Sequence, residues 1–465
     1  MSDTTPTLSR RRVLATTTAA GLVGVAGCGG ADDTNETEET EETPTGEEPN
    51  ETEEPDTEEE RDEPTNDVEL LHAWAPSDGK AAIEALIDGF QEQHPDVTIT
   101  EESVEGGFPG DLNQAVLDRV RANNPPSTFQ AWPGKSLELF EDTFEDIEED
   151  VWNADLKENY PPGLQELAQH GEDYVTVPVN IHRINNLYYN TAIVEEAGVD
   201  PKAFEVPSDV VTACATIESE TDAVPFAHQT TSAWSTVQLW ETILLGQAGI
   251  DGYEAFINGN GDRNQIEAAL EAVVDLTEYY PRDASSINFT EANQMVINGE
   301  AAFIQQGDWV TATGGEGEAA TGGEEWAYGR IDDFTYDDDW NQVTYPGTSG
   351  SYLLNMDSFP YMADNPSPVA TRLFLSYAGS PEGQVLFNDT KGSIPPRSDA
   401  DVSRLTPTQQ DQFADYTTAE NRPPSIQHGL AVSQDVKTKI SDTFDQFIQG
   451  YDIAEAASSL INAFD

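Results

Sequence analysis

The sequence predicts an α/β protein built as two lobes. Two observations carry this expectation. From Val68 to Asp465 the composition is globular, and a segment of about 400 residues exceeds one ordinary core. Along it, short β-type runs alternate with amphipathic helices, the pattern of a parallel sheet with helices on its faces.

The elements read in order. "DVELLHAW" is a strand, and "AAIEALIDGFQEQHP" places Ile83, Leu86, Ile87 and Phe90 on one helical face before Pro95 ends the helix. "VTITEESV" is a second strand, "DLNQAVLDRVRANN" a second helix and "STFQAW" a third strand. Strand, helix, strand, helix, strand makes a parallel sheet, and open sheets of that kind bind ligands at the carboxyl ends of their strands. The helices "SPVATRLFLSYAGS", "VKTKISDTFDQFIQG" and "AEAASSLINAF" read as lobe packing.

Ahead of this region stands "SRRRVLATTTAAGLVGVAGCGG", with Arg10-Arg11-Arg12, a weakly apolar run from Val13 to Ala26, and a small-residue cluster around Cys28. That is the anatomy of an export signal, and its apolar run falls short of the ~20 residues a spanning helix needs. The paired arginines resemble a twin-arginine signal, and Val25-Ala26-Gly27-Cys28 resembles a lipobox, whose cysteine becomes the lipidated first residue. Residues 31–67 are almost wholly Asp, Glu, Thr, Pro, Asn and Gly, too poor in apolar surface to fold and extended by like charge. They read as a stalk, with Asn35 and Asn50 in glycosylation-type triplets. The expected boundaries are a signal over 1–27, lipidated Cys28 and a disordered acidic stalk over 28–67, and the two-lobed protein thereafter. The other cysteine, Cys214, lies in an apolar segment and reads as a small buried hydrophobe.

The chain carries 88 acidic against 21 basic residues, a net charge of −67, and the excess persists beyond the stalk. Such acidity excludes nucleic acid and anionic membrane surfaces as partners. It destabilises a compact state unless salt screens it, and at molar salt the Debye length is ~3 Å. A halophilic source follows.

The strand ends hold the chemistry. The first runs into "HAWAPSDGK" with Trp74 and Asp78, the third into "QAWPGKS" with Gln130, Trp132 and Lys135, and "EAAFIQQGDWV" ends in Gly307-Asp308-Trp309. Rings beside carboxylates, amides and lysine suit a sugar, whose C–H face packs on an aromatic ring while polar groups take its hydroxyls. Trp74 and Trp132 serve equally as core or rim aromatics, and Asp308 as a helix N-cap.

The segments "LLHAWAPSDGKAAIEALIDGFQEQHPDVTI", "YVTVPVNIHRINNLYYNTAIVEEAGVDP", "INGEAAFIQQGDWV", "YPGTSGSYLLNMDSFP" and "KGSIPPRSD" together resemble the extracellular solute-binding proteins of carbohydrate ABC importers related to maltose-binding protein. Among these the chain looks most like the glucose-type monosaccharide binders and, given its charge, like a haloarchaeal one. The resemblance implies a type II periplasmic-binding-protein fold, each lobe a mixed sheet flanked by helices with the ligand cleft between them. It also implies lobe 1 over 68–178 and 307–358, lobe 2 over 179–306 and 359–465, and crossings near Val177–Asn180, Gln306–Gly307 and Asp357–Ser358. It places Trp74, Lys135, Trp234 and Asp308 around the sugar, with His182 at the hinge or the ligand and Lys391 as a further contact. Where many relatives show a Trp-Trp pair and a glutamate, this chain has Ala73 and, near the acid's place, Asp78 or Lys80.

The implied protein is a non-enzymatic, monomeric sugar binder without cofactor or metal. It is lipid-anchored on the outer face of the cell membrane and serves a permease. A binder of oligosaccharide or another solute is the near alternative. The competing class is a glycoside hydrolase or lyase, whose paired carboxylates such acidity supplies by chance. No nucleophile elbow, Ser-His-Asp order, HExxH or Gly-rich phosphate loop appears, and no histidine pair has zinc spacing. A surface adhesin would show repeats, and none is present.

Overall fold

The computed structural model describes residues 65–74, 79–104, 110–312 and 327–465. The expected signal, Cys28, most of the stalk and Asp78 lie outside them. The first lobe opens with strand β1 (Asp67–His72), helix α1 (Lys80–Gln93), strand β2 (Thr98–Ser103), helix α2 (Gly110–Arg121) and the two-residue strand β3 (Thr128–Phe129). The sheet is parallel in the order β2-β1-β3. Helix α1 buries the face read from its spacing, Ile83, Leu86, Ile87 and Phe90, together with Ala82. Strand β3 is shorter than its hydrophobic run suggested because after Phe129 the chain bridges to Ser358 through Ala131 instead of continuing beside β1.

The second lobe is built on a mixed four-stranded sheet. Strand β4 (Asn186–Asn190) lies between β7 (Trp340–Thr344) and β6 (Ala301–Gln306), antiparallel to both, and β5 (Val224–Phe226) runs parallel to β6 at the edge. Helix α3 (Trp234–Ile257) crosses this lobe with a break at Gly249, whose φ of 68° is open to glycine. Cys214 is buried in this core, as its apolar setting implied.

The chain passes between the lobes three times, and two passages fall elsewhere than expected. One core gathers Val68, Ile83, Phe90, Trp152, Ile181, Phe359, Phe374 and Phe387, the other Ile184, Leu187, Trp240, Phe303, Tyr345, Ile440 and Phe444. The first crossing thus lies at 181–184, close to the expected place. The second lies at 345–354, because Val310, Tyr328 and Trp340 pack with Tyr188 and Ile304 of the second lobe. The third lies at 426–431, because helix α4 (Pro368–Ala378) and helix α5 (Pro381–Lys391) pack against α1. The expected returns at 307–358 and 359–465 are therefore corrected. What decides both is the apolar face each segment must bury, and length arguments do not reveal that face.

Two of the crossing segments pair. Thr176–Pro178 runs antiparallel to Ser358–Pro360, and His182–Arg183 antiparallel to Leu354–Asn355. The joint is thus a narrow ribbon whose strands enter both lobes.

Phe90 and Phe374 meet edge to face at 5.5 Å. Alanine at either position costs about 3–5 kcal/mol, and the double mutant departs from additivity by at least ~0.5 kcal/mol. Phe374→Ala combined with Phe444→Ala in the other core stays additive within about that amount. Denaturant unfolding of the single and double variants measures both.

Candidate functional site

At the joint the chain gathers aromatic rings from both lobes. Trp132 follows β3, Trp234 starts α3, Trp309 lies in the single 3-10 turn Asp308–Thr311, and His428 comes from the third crossing. Ring centroids lie 5.2 Å apart for Trp132 and His428, 5.7 Å for His428 and Trp309, 6.5 Å for Trp309 and Trp234, and 5.6 Å for Trp234 and Phe289. His428 is buried, and the three tryptophans and Phe289 are half-buried. They form a row with faces and edges partly accessible, the arrangement that packs sugar C–H groups.

Beneath the row runs a chain of buried polar groups. Gln130 accepts from the Ala73 N–H at 3.0 Å and donates to Asp357 at 3.0 Å. Asn180 donates to the other Asp357 oxygen at 2.9 Å and accepts from the Asp357 N–H at 2.7 Å, which fixes its amide orientation. Its NH2 therefore faces His182 Nε2 at 3.3 Å as the donor, so the imidazole carries its proton on Nδ1 and gives it to Asp308. The second Asp308 oxygen accepts from the Arg183 N–H at 2.9 Å. Burial pushes the Asp308 pKa up, while His182 and Arg183 oppose the rise. Arg183 reaches Asp415 at 2.7 Å and Thr344.

Asp308 thus does not cap. The residue before its turn is Gly307, and no side chain caps that turn. Glycine is required there because a Cβ would fall 2.2 Å from the Trp309 ring, which folds back over it.

Of the remaining residues singled out, His182 and Trp309 meet edge to face at 5.5 Å. Lys391 is buried at the end of α5, one residue before Gly392, whose carbonyl accepts from Thr311 at 3.3 Å. Two are placed otherwise. Trp74 is 2% exposed, packed with His72, Phe359 and Phe387, and pressed by Gly79, where a Cβ would lie 2.5 Å from its ring. Its place is in the first core, and the expectation of an open ring is corrected. Lys135 is exposed and pairs with Glu138 at 2.8 Å; no described contact joins it to the row.

Sequence reasoning missed His428, Lys437 and Glu241 and gave Asp357 and Asn180 no role. Asp357 was visible as an acid within the apolar run "LLNMDSFP", since a polar residue in a buried strand is the informative exception. Glu241 is wholly buried within α3 and accepts from Ser425 at 2.7 Å, the Ile426 N–H at 2.6 Å and Tyr253 at 3.0 Å. It pins the third crossing to the second lobe. Ser425 in turn faces His428 Nδ1 at 2.9 Å. Lys437 lies with its ammonium 4.8 Å from the centre of the Trp132 ring.

Burial pushes the Glu241 pKa up to about 7, against an ordinary 4.5. The folded state thus holds this proton more tightly than the unfolded chain, so the stabilisation is complete in acid and is lost as pH rises. Between pH 4.5 and 7.5 the wild type should lose about 3 kcal/mol relative to Glu241→Gln. Paired denaturation curves across that range measure it, and a constant difference would remove Glu241 from the account.

The comparisons bear on what such a site serves. The family model described as bacterial extracellular solute-binding protein matches residues 85–420. A xylose/arabinose-binding protein of Haloferax volcanii is 39% identical over 402 residues, covering 85% of this chain and 84% of the relative. An ABC transporter extracellular-binding protein of Pyrococcus horikoshii is 30% identical over 402 residues, covering 85% and 87%. A glucose-binding protein of Saccharolobus solfataricus is 22% identical over 262 residues, covering 51% and 45%. Among solved structures, a bacterial receptor described as preferring β-D-galactopyranose aligns at TM-score 0.70 and 15% identity, covering 85% of this chain and 97% of that one. A maltose-bound protein of T. maritima aligns at TM-score 0.63 and 15% identity, covering 85% and 98%. At these identities the structures speak for the fold alone.

Proposed function

Because the chain belongs to the bacterial extracellular solute-binding proteins and has their two-lobed type II fold, we propose that it captures a monosaccharide outside the cell and delivers it to an ABC importer. The row of half-buried rings Trp132, Trp309 and Trp234, drawn from both lobes over a buried carboxylate and amide chain, carries this reading. A small aldose suits such a row. The Haloferax relative is named for xylose and arabinose and spans most of both chains, so we favour a pentose, ahead of the glucose that the motif resemblance implied.

In this reading the sugar bridges Trp132 on the first lobe to Trp234 and Trp309 on the second, with Asp308, Gln130, His182 and Lys391 near its hydroxyls. The ligand favours the closed state by its differential affinity for it, and the permease recognises that state. The twin-arginine signal exports the folded monomer, Cys28 carries a lipid, and the acidic stalk gives reach, keeping the binder at high local concentration beside its permease. Among the described residues no helix is long and apolar enough to cross a membrane.

The enzyme alternative has one specific observation to meet, the contact of Ser425, His428 and Glu241. Its wiring does not suit catalysis. The acid bonds the serine hydroxyl instead of orienting the imidazole, and Ser425 is fully buried.

The protein should unfold at a higher temperature in molar KCl when xylose, arabinose, glucose or galactose is present, gaining ~2.7 kcal/mol at a hundredfold its dissociation constant. The sugar should be recovered unchanged. No shift with any sugar, or consumption of one, overturns the reading. Trp234→Ala should weaken binding of that sugar at least about tenfold by calorimetry.

A further inference from the structure

Lys437 is a cation without the partner its surroundings demand. It sits in the second turn of helix α6 (Gln434–Gly450) and is 8% exposed. Among the described residues no carboxylate forms an ion pair with it and no acceptor takes a hydrogen bond from it. Its ammonium lies against the Trp132 ring, 4.8 Å from the centre. Two titratable groups act on it across the packing. His428 belongs to the crossing, and Glu241 on α3 is already bound by Ser425, Tyr253 and the Ile426 N–H. The exposed pair Lys135 and Glu138 stands on the segment after Trp132, against which α6 packs.

An ammonium has three donors and no acceptor, and holding its side chain largely out of water with no protein acceptor is unfavourable. The π face offsets part of that cost. Burial lowers the Lys437 pKa to about 8, so at neutral pH the group is mostly charged and still short of acceptors. Gly429, at φ +71°, lies next to both groups: a Cβ added there would stand 3.4 Å from Lys437 Cδ and 3.7 Å from the Trp132 ring, so its positive φ and not lack of space favours glycine.

We propose that Lys437 is a binding residue of the sugar site, its ammonium donating to hydroxyl and ring oxygens of a neutral sugar seated against Trp132 and His428. This rests on the sugar-binding reading and adds to it a cation beside the ring row, where Lys135 is exposed and paired with Glu138. A neutral ligand fits because carboxyl groups, those of Asp308 and Asp357 among them, are buried around the joint, where salt screens poorly.

The test compares wild type, K437M and K437R with xylose, arabinose, glucose, galactose and glucuronate in molar KCl. For the sugar that binds wild type, K437M should lose affinity at least about tenfold by calorimetry. Its ligand-free unfolding midpoint should stay level or rise, because an apolar stem replaces an unpaired buried charge. K437R should retain more affinity than K437M. In wild type, reductive methylation of Lys437, followed by mass spectrometry, should slow when sugar is added, a readout independent of any variant. Equal affinity of K437M and wild type overturns the proposal and leaves sugar binding intact. A fall in both midpoint and affinity, with methylation unchanged by sugar, makes the residue structural and also overturns it. Tighter binding of glucuronate than of glucose overturns the neutral-ligand assignment. If no sugar binds wild type, the sugar reading fails and this proposal falls with it.

Discussion

The exchange between Asn180 and Asp357 is the constraint on which the rest of the joint depends. Each lies between the two short antiparallel pairs that the crossing segments form, and they bind each other through both backbone and side chain. That reciprocity orients the Asn180 amide, which fixes the His182 tautomer, which in turn directs a proton to Asp308. Asp308 then holds the start of the turn over which Trp309 folds. From the other Asp357 oxygen the chain reaches Gln130 and the end of strand β3, just ahead of Trp132. Two rings on different lobes are thus positioned by one buried carboxylate. Buried polar networks cost most when partly satisfied, and here both Asp357 oxygens and both ends of the Asn180 amide are used.

Much of this was legible in the sequence, for identifiable reasons. The α1 face follows from spacing alone, because a helix period leaves one way to bury Ile83, Leu86 and Phe90. Gly307-Asp308-Trp309 was visible as a polar turn closing an apolar strand. Trp74 was not decidable, since a ring at a strand end packs inward or outward according to what lies opposite, and here Phe359 and Phe387 arrive from nearly 300 residues away. The crossings failed for a related reason. Helix α4 shows an apolar face in its sequence, but the partner of that face, Phe90, is known only once the chain has folded. His428 stood in an irregular loop, where periodicity gives no signal.

The chain's charge and its site answer to different physics. A net charge of −67 answers to the solvent, since charges in contact with water are screened within a few ångströms at molar salt. The buried groups at the joint lie beyond that screening and are settled by individual hydrogen bonds. Glu241 is satisfied by three donors, Asp308 by an imidazole and a backbone N–H. Net charge therefore says little about the ligand, whereas the polarity of a few hidden side chains says a great deal.

On the proposed function, the placement of those groups would let a small ligand move large lobes. The first and second crossings pair in the ribbon, and the third is pinned by Glu241 to the second lobe while its neighbour His428 touches the ring of Trp132 from the first. The third passage is thus tied to one side and packed on the other. If the proposed sugar sits along the ring row, it meets Trp132 and His428 at that junction, and its contacts depend on the angle between the lobes. Binding free energy that varies with this angle is the only kind that can shift an open and closed equilibrium. A sugar held wholly within one lobe would bind without moving anything, so the proposed role requires a site assembled from both sides of the joint.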